Sequence, residues 1–251
     1  MDKVLEVEKL NRVFNKGKKT EVYALHNVSF DLYKGECLGI IGESGSGKST
    51  AARIVTRLIP YTSGNVVLQG ENMNDIPRKE LYKKIQMIFQ TPVESFNPRI
   101  KIGDSVGESL RNAGFSKSEA KKRVEILLEE CGLEKEFYNR YTHEISGGQC
   151  QRAAIARALA IKPKILICDE ATSALDVTVQ KEIINLLNNI RKNRGDDISI
   201  LFISHDIALV QQFCNRVVVM NKGEIVEMGE TNEVITNPKN NYTKKLIASI
   251  L

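Results

Sequence analysis

The sequence predicts an α/β fold with a mostly parallel sheet, and two observations support this fold class. Strand-like apolar runs alternate along the chain with segments of helical periodicity. The run Glu36–Ile41 is typical of a buried strand and leads into a glycine-rich loop, after which Lys48–Leu58 is expected to be a helix. Two more short apolar runs, Lys164–Cys168 and Ile198–Ile203, are typical of strands buried on both faces, as in parallel sheets.

Local patterns predict the remaining elements. Asn221-Lys222-Gly223 is a turn signal between two strands, and helical spacing of apolar residues indicates one long helix. These elements are a strand pair at Val4–Phe14 and Leu25–Leu32, a helix between Thr178 and Arg191, a hairpin of Arg216–Met220 and Glu224–Met228, and a helix in the tail Pro238–Leu251.

Residues 92–160 have a different, helical character. Ser116-Lys117-Ser118-Glu119 is a capping box that opens one helix, and a second helix is expected from Ser146 to Ala160, before Pro163. We therefore expect a helical subdomain at 92–160, inserted into a single domain that spans residues 1–251, with no internal repeat.

Composition restricts the class of protein. The 251 residues are 42% apolar and 27% charged, as in ordinary soluble proteins, and the net charge is only +5. The short basic runs at 16–19 and 121–123 are typical of solvated faces and lack interleaved aromatic residues, so no nucleic-acid partner is expected. Five scattered cysteines indicate reduced thiols in the cytosol. No signal peptide or membrane-spanning run is visible, so work at a membrane would need another chain as an anchor.

A phosphate-binding loop (P-loop) lies between the predicted strand and the predicted helix. Its residues, with the first helical positions, are Gly42, Glu43, Ser44, Gly45, Ser46, Gly47, Lys48, Ser49 and Thr50. Glycines allow consecutive N–H groups to point at phosphate oxygens, and the helix N-terminus adds positive charge. Lys48 is expected to act on the β- and γ-phosphates, and Ser49 to bind Mg²⁺, so the cofactors are ATP and Mg²⁺.

Two adjacent acids, Asp169 and Glu170, end a predicted buried strand. We expect Asp169 to hold Mg²⁺ and Glu170 to polarise the attacking water, because phosphoryl transfer depends on positioning and charge stabilisation. Taken alone, such a pair is also consistent with a helix cap.

The segment Ile145–Gln149, followed by Lys164–Glu170, resembles the signature and Walker B motifs of ATP-binding-cassette (ABC) ATPases. The resemblance covers essentially the whole chain. It implies ATP hydrolysis on a RecA-like P-loop NTPase core, with an antiparallel β subdomain and an inserted helical subdomain.

The resemblance also implies roles for residues outside the P-loop. Gln90 matches the Q-loop glutamine that contacts Mg²⁺ and water, and His205 matches the histidine that contacts the γ-phosphate. Asp176 lies in the segment Ser173–Asp176, which matches the D-loop between the two sites of a dimer. Phe14 is the candidate for stacking on adenine, and Tyr23 competes for this role.

Ser146, Gly148 and Gln149 of the signature open a helix whose N-terminus can meet a γ-phosphate held by another subunit. The resemblance therefore implies a second ABC ATPase subunit, identical or different. Ile145 and Cys150 depart from the usual pattern, but neither change removes an expected phosphate contact.

The stretch Phe89–Arg99 is similar to the Q-loop extension of dipeptide, oligopeptide and nickel importers, with departures at Thr91 and Phe96. The chain ends at Leu251, soon after the predicted hairpin, which favours the nickel or metal-chelate branch, with peptides second. The expected partners are a second ATPase subunit, two integral membrane permease subunits and an extracytoplasmic substrate-binding protein. This would place the chain peripherally on the cytoplasmic face of the cell membrane.

Two alternatives remain open. One is a soluble ABC ATPase of cofactor (iron–sulfur) assembly, against which Asn97-Pro98-Arg99 argues. The other is a chromosome or DNA-repair ATPase, but no sustained heptad pattern lies between Gln90 and Ser146.

Overall fold

The computed structural model describes residues 2–173, 175–194 and 197–249 of the chain. Ala174 of the predicted D-loop and residues 250 and 251 of the predicted tail helix lie outside the described residues. The described residues form two β-sheets connected by α-helices.

The smaller sheet is antiparallel and contains the N-terminal strands. Its strands are β1 (Lys3–Phe14), β2 (Val22–Tyr33), β4 (Ser63–Leu68) and β5 (Glu71–Asn72), in the order β2-β1-β4-β5. The predicted N-terminal strand pair is confirmed, since Val7 pairs with Phe30 and Phe14 with Val22. Strands β4 and β5 were not predicted, because β4 has only two buried apolar positions and β5 only two residues.

The larger sheet is mostly parallel, as predicted. Its strands are β3 (Cys37–Ile41), β6 (Ile85–Ile88), β7 (Ile165–Asp169), β8 (Ser199–Ile203), β9 (Arg216–Asn221) and β10 (Glu224–Glu230), in the order β10-β9-β3-β8-β7-β6. Only β9 and β10 pair antiparallel, as the predicted hairpin, and every other neighbouring pair is parallel. Strands β3, β7 and β8 are buried along their whole length, which explains their continuous apolar sequences.

In the described part of the chain, six α-helices lie outside the segment between β6 and β7. They are α1 (Lys48–Val55), α2 (Arg78–Lys84), α7 (Val177–Arg194), α8 (Ile207–Phe213), α9 (Thr231–Thr236) and α10 (Asn241–Ala248). Helix α1 ends earlier than the predicted Leu58 because Arg57 adopts a left-handed φ of 55°. The Arg57 guanidinium donates to the carbonyl oxygens of Met73 and Ile76, which holds this turn in place.

The α-helices between β6 and β7 are α3 (Ile102–Val106), α4 (Glu108–Asn112), α5 (Lys117–Glu130) and α6 (Gly147–Leu159). The capping box predicted at Ser116 is present, since its hydroxyl accepts from the Glu119 N–H and Glu119 accepts from the Ser116 N–H. The helix predicted from Ser146 is α6, with Ser146 as its N-cap. The division of the chain at 92–160 into a separate subdomain stays a prediction.

Alternate side chains of β3 point into two apolar clusters on opposite faces of the larger sheet. Leu38 and Ile40 join side chains of α1 and the smaller sheet, whereas Cys37 and Ile41 join side chains of α5 and α6. All five cysteines are free and buried. Nowhere in the described residues is there a helix with the length and apolarity to cross a membrane.

An aromatic pair between β8 and α8 contributes to the stability of the core, and a substitution in it measures that contribution. Phe202 and Phe213 meet edge to face, with ring centroids 5.2 Å apart, and both are buried. We expect Phe202→Ala to lower the free energy of unfolding by about 3–5 kcal/mol, because it leaves a cavity in the core. Urea unfolding measures this change. Ile126→Ala, at a side chain on α5 that is 55% exposed, is the control and should cost less than about 0.5 kcal/mol. Equal losses in the two variants would contradict the expectation.

Candidate functional site

The P-loop connects β3 to α1, as its sequence predicts, and two of its glycines are required by close backbone contacts. Gly42 and Gly47 have backbone φ angles of 148° and 105°, which residues with a side chain rarely adopt. A Cβ at Gly42 would overlap the carbonyl oxygen of Met220, and one at Gly47 would lie 2.7 Å from the carbonyl oxygen of Ala24. The loop is therefore held between β9 and β2.

The remaining groups of the P-loop fit the binding of phosphate. A Cβ built on Gly45 has no atom within 4 Å, so this side of the loop is open. The Ser46 hydroxyl is buried and has no hydrogen-bond partner among the described residues. Helix α1 begins at Lys48, so its free N–H groups and positive end lie beside these two residues.

Lys48 lies across the P-loop and is only 4% exposed. Its Nζ donates to the carbonyl oxygens of Gly42 and Glu43, both at 2.8 Å. Burial lowers the pKa of the Lys48 ammonium, and the charges of Glu170 and Asp169 oppose this shift. The ammonium is thus positioned by backbone oxygens and faced by two carboxylates.

Ser49 and Asp169 form a pair of oxygen groups suitable for a hard divalent cation. Ser49 Oγ donates to Asp169 Oδ1 at 2.7 Å, although the residues are far apart in sequence. Burial raises the pKa of Asp169, and the hydrogen bond from Ser49 opposes this shift. A hydroxyl and a carboxylate next to a phosphate loop match the donor set that Mg²⁺ takes from proteins. No group of three or more His, Cys, Asp or Glu side chains suited to a metal occurs in the described part of the chain.

Glu170, Gln90 and His205 converge from three loops. Gln90 Nε2 donates to Glu170 Oε2 at 3.1 Å, and His205 Nδ1 lies 3.8 Å from the same oxygen. Glu170 has a left-handed φ of 48°, and its N–H donates to the carbonyl oxygen of Ile203. A non-glycine residue in this region is strained, and such strain clusters at functional sites. The His205 side chain is 62% exposed, so it can reach a ligand from solvent.

Ser173 belongs to this group but was not among the predicted site residues. Its hydroxyl donates to the Glu170 carbonyl oxygen at 3.0 Å and accepts from Gln90 Nε2 at 3.3 Å. A serine three residues after the acid was the available signal, since short hydroxyl side chains often bond to nearby backbone in turns. Asp176, in the same segment, caps α7 by accepting from the Val179 N–H at 3.0 Å.

The signature residues open α6 and bond to one another. Gln149 N–H donates to Ser146 Oγ at 3.2 Å, and Ser146 N–H donates to Gln149 Oε1 at 2.9 Å. A Cβ at Gly148 would lie 2.8 Å from Val179 Cγ1 of α7, so this glycine allows a close approach of the two helices. Within the described ranges, no hydrogen bond joins these signature residues to the P-loop of the same chain.

Phe14 and Tyr23 lie at the same end of the β1–β2 pair. The Arg12 guanidinium lies 4.3 Å from the centroid of the Phe14 ring and covers one of its faces. The Tyr23 side chain is 62% exposed, and Ala24, the next residue on β2, contacts the P-loop at Gly47. Both rings are therefore on the sheet that touches the P-loop, and the choice of Phe14 for adenine stays a prediction.

Comparison with known proteins identifies the family. A family model described as "ABC transporter" matches residues 25–173. The oligopeptide transport ATP-binding protein OppF of Streptococcus mutans is 42% identical over 253 residues, which cover 99% of this chain and 82% of that protein. The glutathione import ATP-binding protein GsiA of Salmonella typhimurium is 48% identical over 234 residues, which cover 92% of this chain but only 37% of that protein.

A solved structure has the same fold. It is the dimeric structure of the ATP-binding cassette MJ0796, described as a post-hydrolysis state bound to ADP and Pi. The two chains are 32% identical and match with a TM-score of 0.80, and the match covers 90% of this chain and 98% of the MJ0796 chain. The resemblance drawn from the signature and Walker B segments is thus confirmed, and so is the predicted fold class. The chain belongs to the ABC transporter family and is one of its ATP-binding ATPases.

Proposed function

We propose that this chain is the ATPase subunit of an ABC importer, which hydrolyses ATP at an interface with a second ATPase subunit and drives peptide uptake through membrane subunits. The observation that carries the proposal is the convergence of Gln90, Glu170 and His205, together with the bonded pair of Ser49 and Asp169. These groups come from four separate loops or helix starts. Their arrangement suits an in-line attack of water on a γ-phosphate.

The residues from Gly42 to Thr50 hold the phosphates in this proposal. Backbone N–H groups of the loop and the N-terminus of α1 bind the anion, and Lys48 adds a charge already positioned by two carbonyl oxygens. Ser49, Asp169 and Gln90 would hold Mg²⁺. When bound, the ion neutralises phosphate charge that develops in the transition state. Phe14 stacks on adenine, with Arg12 behind its ring.

Glu170 is the residue that we assign to polarising the attacking water. Its carboxylate is held by Gln90 Nε2, and its backbone is fixed by the bonds to Ile203 and Ser173. His205 Nδ1 lies 3.8 Å from the same carboxylate oxygen, and we assign it to contact with the γ-phosphate. In this proposal Glu170 positions the water and His205 contacts the phosphate, and neither residue forms a covalent bond to the substrate.

The signature supports a site that is completed by a partner. Ser146 and Gln149 hydrogen-bond to each other at the start of α6, and within the described residues neither they nor Gly148 bond to the P-loop of the same chain. We propose that they contact the nucleotide of a second ATPase subunit, with Asp176 and its segment between the two sites. This chain carries both halves of such a site, so the proposal allows an identical or a different partner. Residues 92–160, which contain the signature, form the helical subdomain in this proposal.

Peptides are the cargo that we propose. The two relatives named for oligopeptide and glutathione transport are 42% and 48% identical to this chain. Nickel or another metal chelate, which the sequence favoured, is the second candidate, since the Phe89–Arg99 stretch is similar in both branches. Two permease subunits and an extracytoplasmic binding protein complete the proposed transporter, with this chain at the cytoplasmic face of the membrane.

The assignment of Glu170 is tested by Glu170→Gln. We expect this variant to bind ATP and to form an ATP-trapped dimer, but to lose turnover by at least about 100-fold, because the amide cannot polarise water as a carboxylate does. ATPase assays and size-exclusion chromatography measure the two effects. Glu80→Gln, at an exposed carboxylate of α2 paired with Lys83, is the control and should leave turnover unchanged. Hydrolysis at the wild-type rate by Glu170→Gln would refute the role.

The transporter assignment is tested by purifying the tagged chain from detergent-solubilised membranes. We expect two integral membrane proteins to co-purify, and the ATPase rate of the reconstituted complex to rise with a peptide-loaded binding protein. Recovery with soluble proteins alone would refute the proposal and favour the cofactor-assembly alternative. Stimulation by a nickel chelate and not by peptides would overturn the proposed cargo alone.

A further inference from the structure

The outer side of the P-loop is held by the C-terminal part of the chain. Gly223 N–H, in the turn of the β9–β10 hairpin, donates to the Ser46 carbonyl oxygen at 3.0 Å. Gly42 packs against the Met220 carbonyl oxygen on β9. These contacts come from backbone, so they do not depend on the identity of the hairpin side chains.

One side chain adds to this backbone support. The Glu43 N–H donates to Tyr242 Oη at 3.2 Å, across 199 positions of sequence. Among the described residues, Tyr242 is the only residue outside the loop whose side chain accepts from an N–H of the loop. The Tyr242 ring packs against the larger apolar cluster, which limits its movement.

Tyr242 is itself held firmly at the start of α10. Its N–H donates to Asn240 Oδ1 at 2.8 Å, and Asn240 Nδ2 donates to the Val226 carbonyl oxygen of β10 at 3.2 Å. Glu227, also on β10, accepts from the N–H groups of Lys239 and Asn240. The hydroxyl therefore has a defined position relative to the hairpin that supports the loop.

The peptide unit that Tyr242 holds is one of the two that position Lys48, since Lys48 Nζ donates to the carbonyl oxygens of Gly42 and Glu43. The Glu43 N–H and the Gly42 carbonyl belong to the same peptide, which is planar, so they point in opposite directions. On one side the N–H bonds to Tyr242, and on the other the carbonyl oxygen accepts from Lys48 Nζ at 2.8 Å. Rotation of this peptide would break both bonds together.

We propose that Tyr242 is a positioning residue for nucleotide binding, which orients the Gly42–Glu43 peptide and through it the Lys48 ammonium. The inference rests on the proposed binding of phosphate by the P-loop. Holding the loop before the nucleotide arrives lowers the entropic cost of binding. Once the phosphates are bound, they hold Lys48 themselves, so the hydroxyl contributes to affinity and little to the chemical step.

Tyr242→Phe in the full chain tests this proposal, because it keeps the packed ring and removes only the hydroxyl. We expect affinity for MgATP to fall roughly 2- to 10-fold, as for the loss of one neutral hydrogen bond, with kcat at saturating ATP unchanged. Isothermal titration calorimetry and steady-state ATPase assays measure these quantities. Tyr61→Phe is the matched control, because the Tyr61 hydroxyl accepts from Asn74 Nδ2, away from the P-loop. The affinity of this variant for MgATP should equal that of the wild type.

Each outcome has a separate meaning. Unchanged MgATP affinity in Tyr242→Phe, an equal loss in Tyr61→Phe, or a fall in kcat with unchanged affinity would overturn the role of Tyr242. A wild-type chain that does not bind MgATP would instead overturn the proposed function.

A second variant separates positioning from general destabilisation. Asn240→Ala releases the start of α10 and should also weaken MgATP binding, because it frees the backbone of Tyr242. In the Tyr242→Phe background the same change should have no further effect on affinity, since the hydroxyl through which it acts is gone. Additive losses in the double variant would contradict the proposal, whatever the unfolding midpoints of the variants.

Discussion

Parallel pairing of the central strands is the constraint on which the candidate site depends. Ile40 of β3 and Asp169 of β7 both lie opposite Ile203 of β8, and Ile88 of β6 lies opposite Cys168. The carboxyl ends of parallel strands share one edge of a sheet, so every loop that leaves them starts there. For this reason the P-loop, the two acids and the loops that carry Gln90 and His205 meet, although they are distant in sequence. A register slip of one residue would turn Asp169 to the opposite face of the sheet.

Burial of the sheet on both faces determines the electrostatics at this edge. Apolar clusters lie above and below β3, β7 and β8, and the charged residues Asp169, at the end of β7, and Lys48 are buried. Burial lowers the pKa of Lys48 and raises the pKa of Asp169, since the charged form is the one disfavoured in each case. The opposite charges and the Ser49 hydroxyl counter these shifts. Lys48 and Asp169 thus lie in a region of low water content, where charges interact strongly.

The C-terminal elements have a structural role at the site that their position in sequence does not suggest. The β9–β10 hairpin supports the P-loop through Met220 and Gly223, and α10 supports it through Tyr242. Helix α10 is in turn fixed by buried side chains, including Thr243, Leu246 and Ile247. The P-loop is therefore supported by both the β9–β10 hairpin and α10.

Local sequence determined a large part of this protein. The glycine-rich loop between a strand and a helix, the capping boxes at Ser116 and Ser146, and the apolar runs of β3, β7 and β8 are all encoded within a few residues of one another. Such patterns reflect short-range physics, namely backbone freedom, end capping and burial of a face. They were sufficient to predict the fold class and the phosphate-binding loop, whereas the family and the roles of Gln90, His205 and Asp176 were implied by the resemblance of the signature and Walker B segments.

Only the tertiary structure decided which of these groups touch. The bond from Gln90 to Glu170 spans 80 positions, and the bond from Glu43 to Tyr242 spans 199. The hydrogen bond between Ser173 and Gln90 also joins distant residues, and the short strands β4 and β5 joined the smaller sheet without a clear local pattern. The physical reason is that a hydrogen bond between distant residues depends on the path of the whole chain and on the packing that fixes this path. Neither can be predicted from the residues that make the bond.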